Sequence, residues 1–149
     1  EFWDDFEPNE LMATAYDLGE IDEDWLSGEV SSITLEDLNM DSGYDEDWFT
    51  WDADDDLGDS PEPAAYIYGD DLTYYILELY AAKWDTTHPI ASAEGYGNIG
   101  VSQDDFPDDF EPSVFDTGWD IWWISVRTEI SEWDEYVCVL GGYDLRIES

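Results

Sequence analysis

The sequence predicts an all-β protein, an antiparallel β-sandwich with long acidic loops. Short runs rich in β-branched and aromatic residues recur along the chain, bounded by Gly, Pro, Asp and Asn. Helical periodicity is thin, and most of the acid falls between the runs. Hydrophobic residues make up 43% of the 149 positions and aromatics 17%, enough apolar material for one core despite the charge. Residues 1–149 are therefore read as a single β-sandwich domain, since two domains would each be short of core.

Taken in order, Glu10 to Ala15 supports a helical turn or two after Pro8-Asn9. Gly28-Glu29-Val30-Ser31-Ser32-Ile33 reads as a short strand. Leu35-Glu36-Asp37-Leu38 reads as a single helical turn capped by Thr34. Asp47 to Ala53 is an aromatic-rich strand, and Ala65 to Tyr68 and Leu72 to Tyr80 are two more. Pro89 to Ala93 is weaker, and Asp120 to Arg127 is strong. Glu135 to Leu140 and Tyr143 to Ile147, split by Gly141-Gly142, read as a terminal hairpin. Acidic loops occupy Asp54 to Pro63 and Gln103 to Pro112. Trp122 and Trp123 are adjacent in a strand, so they point to opposite faces.

Charge dominates the composition: 41 Asp and Glu against 3 Lys and Arg, a formal net charge of −38. Such a field repels nucleic acid and anionic membranes, which removes both as partners. It also loads the compact state with self-repulsion, which bound divalent cations or high ambient salt would relieve. A marine or halophilic setting fits the second. No apolar run approaches the ~18 residues of a membrane span.

The chemistry of most enzymes is missing from the composition. Nucleophilic triads need a base, and the sole histidine, His88, stands next to Pro89 in a turn-like stretch. The sole cysteine, Cys138, lies in an apolar run and reads as a buried thiol, and zinc sites want clusters of both residue types. Gly95-Tyr96-Gly97-Asn98-Ile99-Gly100 is no phosphate loop, because an acidic loop follows it rather than a helix. A non-catalytic chain is expected.

The N-terminal Asp5-Phe6-Glu7-Pro8-Asn9-Glu10, followed by Ala13-Thr14-Ala15-Tyr16-Asp17-Leu18-Gly19, resembles the opening of bacterial pre-peptidase C-terminal domains. Gly28-Glu29-Val30, Asp45-Glu46-Asp47-Trp48-Phe49, Trp122-Trp123-Ile124-Ser125-Val126 and Tyr143-Asp144-Leu145-Arg146-Ile147 are similar to later elements of that family, in the same order. Residues 53 to 118 and 128 to 142 depart from its pattern as expansions. The resemblance implies a jelly-roll-like sandwich, secretion or display at the cell surface, and attachment to a larger exported protein. It also implies calcium near the Glu-Pro-Asn segment.

Calcium takes hard oxygen ligands, carboxylates and amide oxygens among them. Asp5, Glu7 and Asn9 alternate, so an extended segment puts them on one face, and Asp45 and Asp47 do likewise. The resemblance matches Glu7, Asn9 and the Asp45/Asp47 pair to family motif positions, with Asp5 where an acid is usual; Asp41 is a possible further ligand. A second, weaker cluster runs from Asp104 to Glu111.

The function expected is thus a calcium-stabilised accessory domain aiding localisation, stability or polymer binding. Two alternatives stand beside it. One is a calcium-dependent structural subunit of an extracellular fibre or surface layer, made of copies of the chain. The other is an aromatic-platform carbohydrate-binding module, for which Trp84, Trp119 and Trp133, near polar loops, are the candidate ligand-binding residues.

Overall fold

The strand-forming runs pair into two sheets. A computed structural model of the chain describes residues 6, 8–21, 32–39, 45–53, 63–109, 121–129 and 142–148. Among them nine strands form: β1 (Tyr16–Glu20), β2 (Ser32–Asn39), β3 (Glu46–Asp52), β4 (Ala64–Gly69), β5 (Tyr74–Ala81), β6 (Ala91–Tyr96), β7 (Asn98–Val101), β8 (Ile121–Thr128) and β9 (Gly142–Glu148). One sheet has five strands in the order β1-β3-β8-β5-β6, the other four in the order β2-β9-β4-β7. From β2 onward the antiparallel pairs are nested: β2 with β9, β3 with β8, β4 with β7, β5 with β6. Those eight strands are thus a long hairpin doubled over into two layers. Only β1 is parallel to its neighbour, at the edge beside β3.

Side-chain alternation assigns the inner faces. Phe49 and Trp51 of β3, Tyr75, Leu77 and Leu79 of β5, and Trp122, Ile124 and Val126 of β8 are buried on the inside of the five-stranded sheet. Facing them are Leu35 and Leu38, Ala65 and Ile67, Val101, and Tyr143, Leu145 and Ile147 of the four-stranded sheet. Residues 122 and 123 part as the alternation requires: Trp122 is fully buried in the core and Trp123 is half-exposed outside it. On that outer face Trp48 and Tyr80 lean together across Ser125, with ring centroids 5.2 Å apart. Arg127 beside them forms an ion pair with Glu78.

Two expectations are corrected. Leu35 to Leu38 is not a helical turn but part of β2. The register of β2 against β9 shifts between Leu35, opposite Leu145, and Leu38, opposite Tyr143. Three steps on β2 therefore match two on β9, which is a β-bulge. The extra residue lets two leucines three apart reach the same core face, and it mimics helical spacing in the sequence. Asp37 takes up the bulge with a φ of 58°, its N–H held by Asp144 Oδ1 at 3.0 Å.

The last strand also has partners other than the expected hairpin. Both edges of β9 are occupied, by β2 on one side and β4 on the other, over nearly its whole length. No edge of Tyr143 to Ile147 is left for Glu135 to Leu140, which lies outside the described residues. Two strands were not anticipated. β1 carries Asp17 and a Gly19 of positive φ (79°), and β7 occupies part of the glycine-rich run at 95–100. The expected Pro89–Ala93 strand is β6, starting at Ala91. The segment after Pro8-Asn9 makes one 3-10 turn, Met12–Thr14.

Candidate metal centre

β3 starts beside the N-terminal segment. The backbone N–H of Trp48 donates to the carbonyl of Asn9 at 2.8 Å. Further along, the parallel pairing of Tyr16 with Phe49 continues the same alignment. Phe6 locks the segment down: its ring stands edge-on to Tyr16 at 4.8 Å and to Phe49 at 6.1 Å. These contacts set Phe6 and Asn9 against the first residues of β3.

Three of the six candidate ligands are described, and all three are interior. Asn9 and Asp47 are 0% exposed and Asp45 is 6% exposed. Asp47 points inward, on the same face as Phe49 and Trp51, and accepts a hydrogen bond from the Tyr143 hydroxyl of the opposite sheet. Asp45 Oδ1 accepts from the Glu46 N–H at 3.0 Å. Asp5, Glu7 and Asp41 lie outside the described residues. Among the described residues no group of three or more His, Cys, Asp or Glu is gathered as a metal would need. Asp45 and Asp47 supply two carboxylates, and Asn9 adds an amide oxygen.

This donor set is all hard oxygen, which suits calcium and not a soft metal. A carboxylate withdrawn from water is costly unless countered by hydrogen bonds or a cation. Arg127 projects from the outer face of the sheet, opposite the side that carries Asp47, and is paired with Glu78. Arg146 Nε is bonded to Glu148 at 2.9 Å.

The aromatic candidates divide similarly. Trp84 follows β5 in a turn, its N–H donating to the Ala81 carbonyl at 3.1 Å, and its half-buried ring packs against the core. Trp119 and Trp133 lie outside the described residues, as does Cys138. His88 is exposed, with Nδ1 2.8 Å from Asp85 Oδ2 and 2.9 Å from Thr87 Oγ1. Hydrogen bonds from Thr87, then from His88, hold the Asp85 carboxyl down at about 2. Tyr143 is the contributor that spacing did not single out. Its one sequence signal is the Tyr143-Leu145-Ile147 alternation, which places it inside.

No family model matches the chain, and no curated protein is similar to it. Among solved structures it is similar to the pre-peptidase C-terminal domain of a collagenase from Bacillus anthracis. The identity is 10% over 88% of this chain and 91% of that one, with a TM-score of 0.48. It is also similar to Aeromonas hydrophila PliG, a periplasmic inhibitor of g-type lysozyme. There the identity is 14% over 89% of this chain and 97% of that one, with a TM-score of 0.47. The first is a member of the family that the sequence motifs resemble.

Proposed function

We propose that the chain is a non-catalytic, calcium-stabilised accessory domain of a secreted or cell-surface protein. One observation carries the reading. Asn9, Asp45 and Asp47 are all buried, and the N–H of Trp48, next to Asp47, donates to the Asn9 carbonyl, in a chain of net charge −38. Bound there, calcium offsets interior carboxylate charge and fastens the N-terminal segment to β3. Asp5, Glu7 and Asp41 are the residues that would complete the shell. The role is mechanical: it stabilises the β3 end of the sandwich so that the domain endures outside the cell. The single histidine, tied to Asp85 on an exposed turn, supports a non-catalytic role.

The test is thermal unfolding over a calcium series, with EDTA and magnesium controls at matched ionic strength. Metal that binds the native state alone adds ~2.7 kcal/mol at a hundredfold excess over its Kd. The midpoint is expected to rise with calcium beyond magnesium, and Asp47→Asn with Glu7→Gln is expected to abolish the difference. An equal response to both metals would reject calcium and leave salt screening as the source of stability.

A further inference from the structure

The β4–β5 connection, which passes from the four-stranded to the five-stranded sheet, presents a surface that the calcium reading does not use. Gly69 to Thr73 form a tight turn: Asp70 Oδ1 accepts from the Leu72 N–H at 2.9 Å, and the Asp70 carbonyl from the Thr73 N–H at 3.1 Å. The chain crosses from one sheet to the other directly beside it, between β6 and β7, at Gly97. Gly97 has a φ of 72°, and a Cβ there would sit 2.7 Å from Asp71 Oδ1. Its carbonyl accepts from the Gly69 N–H at 3.2 Å and its N–H donates to the Thr73 carbonyl at 3.4 Å. Two connections are thereby fastened into one platform.

This platform holds apolar groups in water. Of five exposed large hydrophobic side chains among the described residues, two are here: Leu72 at 88% and Tyr96 at 65%. Tyr96 faces Tyr74 across the β5–β6 pair, ring centroids 5.0 Å apart at 82°. Scattered exposed apolar residues are ordinary, but an exposed Leu72 and the aromatic pair of Tyr74 with the exposed Tyr96, carried on one braced platform, mark an interaction site. Carboxylates rim it: Asp70 and Asp71 on the turn, Glu94 beside Tyr74, and Glu129, whose N–H donates to the Tyr74 carbonyl at 3.1 Å.

We infer that this platform docks a basic segment of a partner polypeptide, with arginine or lysine side chains over the Tyr74–Tyr96 rings and apolar contact at Leu72. Ring faces attract cations, and the acidic rim adds to that attraction. Charge selects the occupant. A second copy of the chain brings the same −38 and is repelled. A neutral glycan leaves the carboxylate rim without a role.

The full chain is titrated, at physiological ionic strength, with a fluorescently labelled peptide of alternating arginine and proline, and with the same peptide carrying citrulline for arginine. Saturable binding of the arginine peptide alone is expected. The uncharged pair Leu72→Ser and Tyr96→Ala should weaken it about ten-fold, as loss of central contacts does. Asp104→Asn with Asp105→Asn, at the other end of β7, should leave it within about two-fold despite removing charge. Both altered apolar side chains are exposed, so the variant should keep its circular dichroism. In the unsubstituted chain the Leu72 methyl and Tyr96 ring resonances should shift on titration. Equal binding of the citrulline peptide, unchanged affinity in the Leu72/Tyr96 variant, or shifts confined elsewhere would each overturn the inference. So would binding of cellohexaose at the same resonances.

Discussion

The Tyr143 hydroxyl, carried by the four-stranded sheet, donates to the Asp47 carboxylate, carried by the five-stranded sheet. The two residues are 96 positions apart, and the bond spans the interior. A second tyrosine crosses the other way: Tyr75 donates to the Gly142 carbonyl at 3.0 Å. The two rings lie 5.9 Å apart. Two tyrosine hydroxyls thus join the sheets at this end of the interior.

Tyr143→Phe keeps the ring and removes the donor. A hydrogen bond to a charged group contributes about 1.5–3 kcal/mol, and the buried carboxylate is left short of it. Urea unfolding should show a loss of that size. A loss below about 0.5 kcal/mol would mean that Asp47 does not depend on this donor.

Gly69 makes room for the other tyrosine. A Cβ at Gly69 would lie 2.4 Å from Tyr75 Cε2 and 2.8 Å from its hydroxyl oxygen. Tyr75 has no easy retreat, because its hydroxyl also accepts from the Asp70 N–H at 3.2 Å. Gly69→Ala should therefore destabilise by about 1–3 kcal/mol, the cost of overpacking. Combined with Tyr75→Leu, which removes the ring, the two losses should sum to less than their separate values. Strict additivity would place the strain elsewhere.

Much of this architecture was legible in the sequence, and the reasons are local. β3, β4, β5, β8 and β9 carry large apolar or aromatic residues at alternate positions, Phe49 and Trp51, Leu77 and Leu79, Trp122 and Ile124, Leu145 and Ile147 among them. β2 was half legible: its bulge spaces Leu35 and Leu38 as a helix would. β1 hid because an edge strand packs one side chain, Leu18, partly against the core, between Asp17 and Gly19. β7 hid among glycines that serve close approach; a Cβ at Gly100 would lie 2.4 Å from the Tyr66 ring. At the candidate site, motif order pointed to Asn9, Asp45 and Asp47, and all three are buried, with the Asn9 backbone hydrogen-bonded to that of Trp48. Tyr143 could not be foreseen as the partner of Asp47, since no local pattern encodes a contact across two sheets. Leu72 belongs to a strand run in the sequence and Tyr96 to the glycine-rich run, and no local pattern encodes the Gly97 hydrogen bonds to Gly69 and Thr73 that fasten the two connections together.

Trp122 and Trp123 offer a test of the alternation itself. Trp122 is 0% exposed, stacked at 6.0 Å on Phe106 within the core. Trp122→Ala should cost about 3–5 kcal/mol, as large-to-small changes in cores do. Trp123→Ala, on the half-exposed outer face, should cost less than half as much. Guanidinium unfolding of the two variants decides it, and similar losses would mean that the outer face is packed as tightly as the core.

Glu46 gives the stability a pH dependence of definite sign. It stands at the start of β3 opposite Arg127. Burial pushes its carboxyl above the usual range, against the attraction of Arg127, and Glu78 adds repulsion. The folded chain thus keeps this proton to higher pH than the unfolded chain. Between the unfolded and folded values the native state binds more protons, so this group's contribution falls as pH rises through that window. Below the window both states are protonated and nothing is lost. Glu46→Gln cannot ionise, so it should match the parent at about pH 4 and exceed it in stability by about pH 7. Urea midpoints across that range are the measurement. A variant weaker than the parent at neutral pH would show that the attraction of Arg127 outweighs the cost of burial.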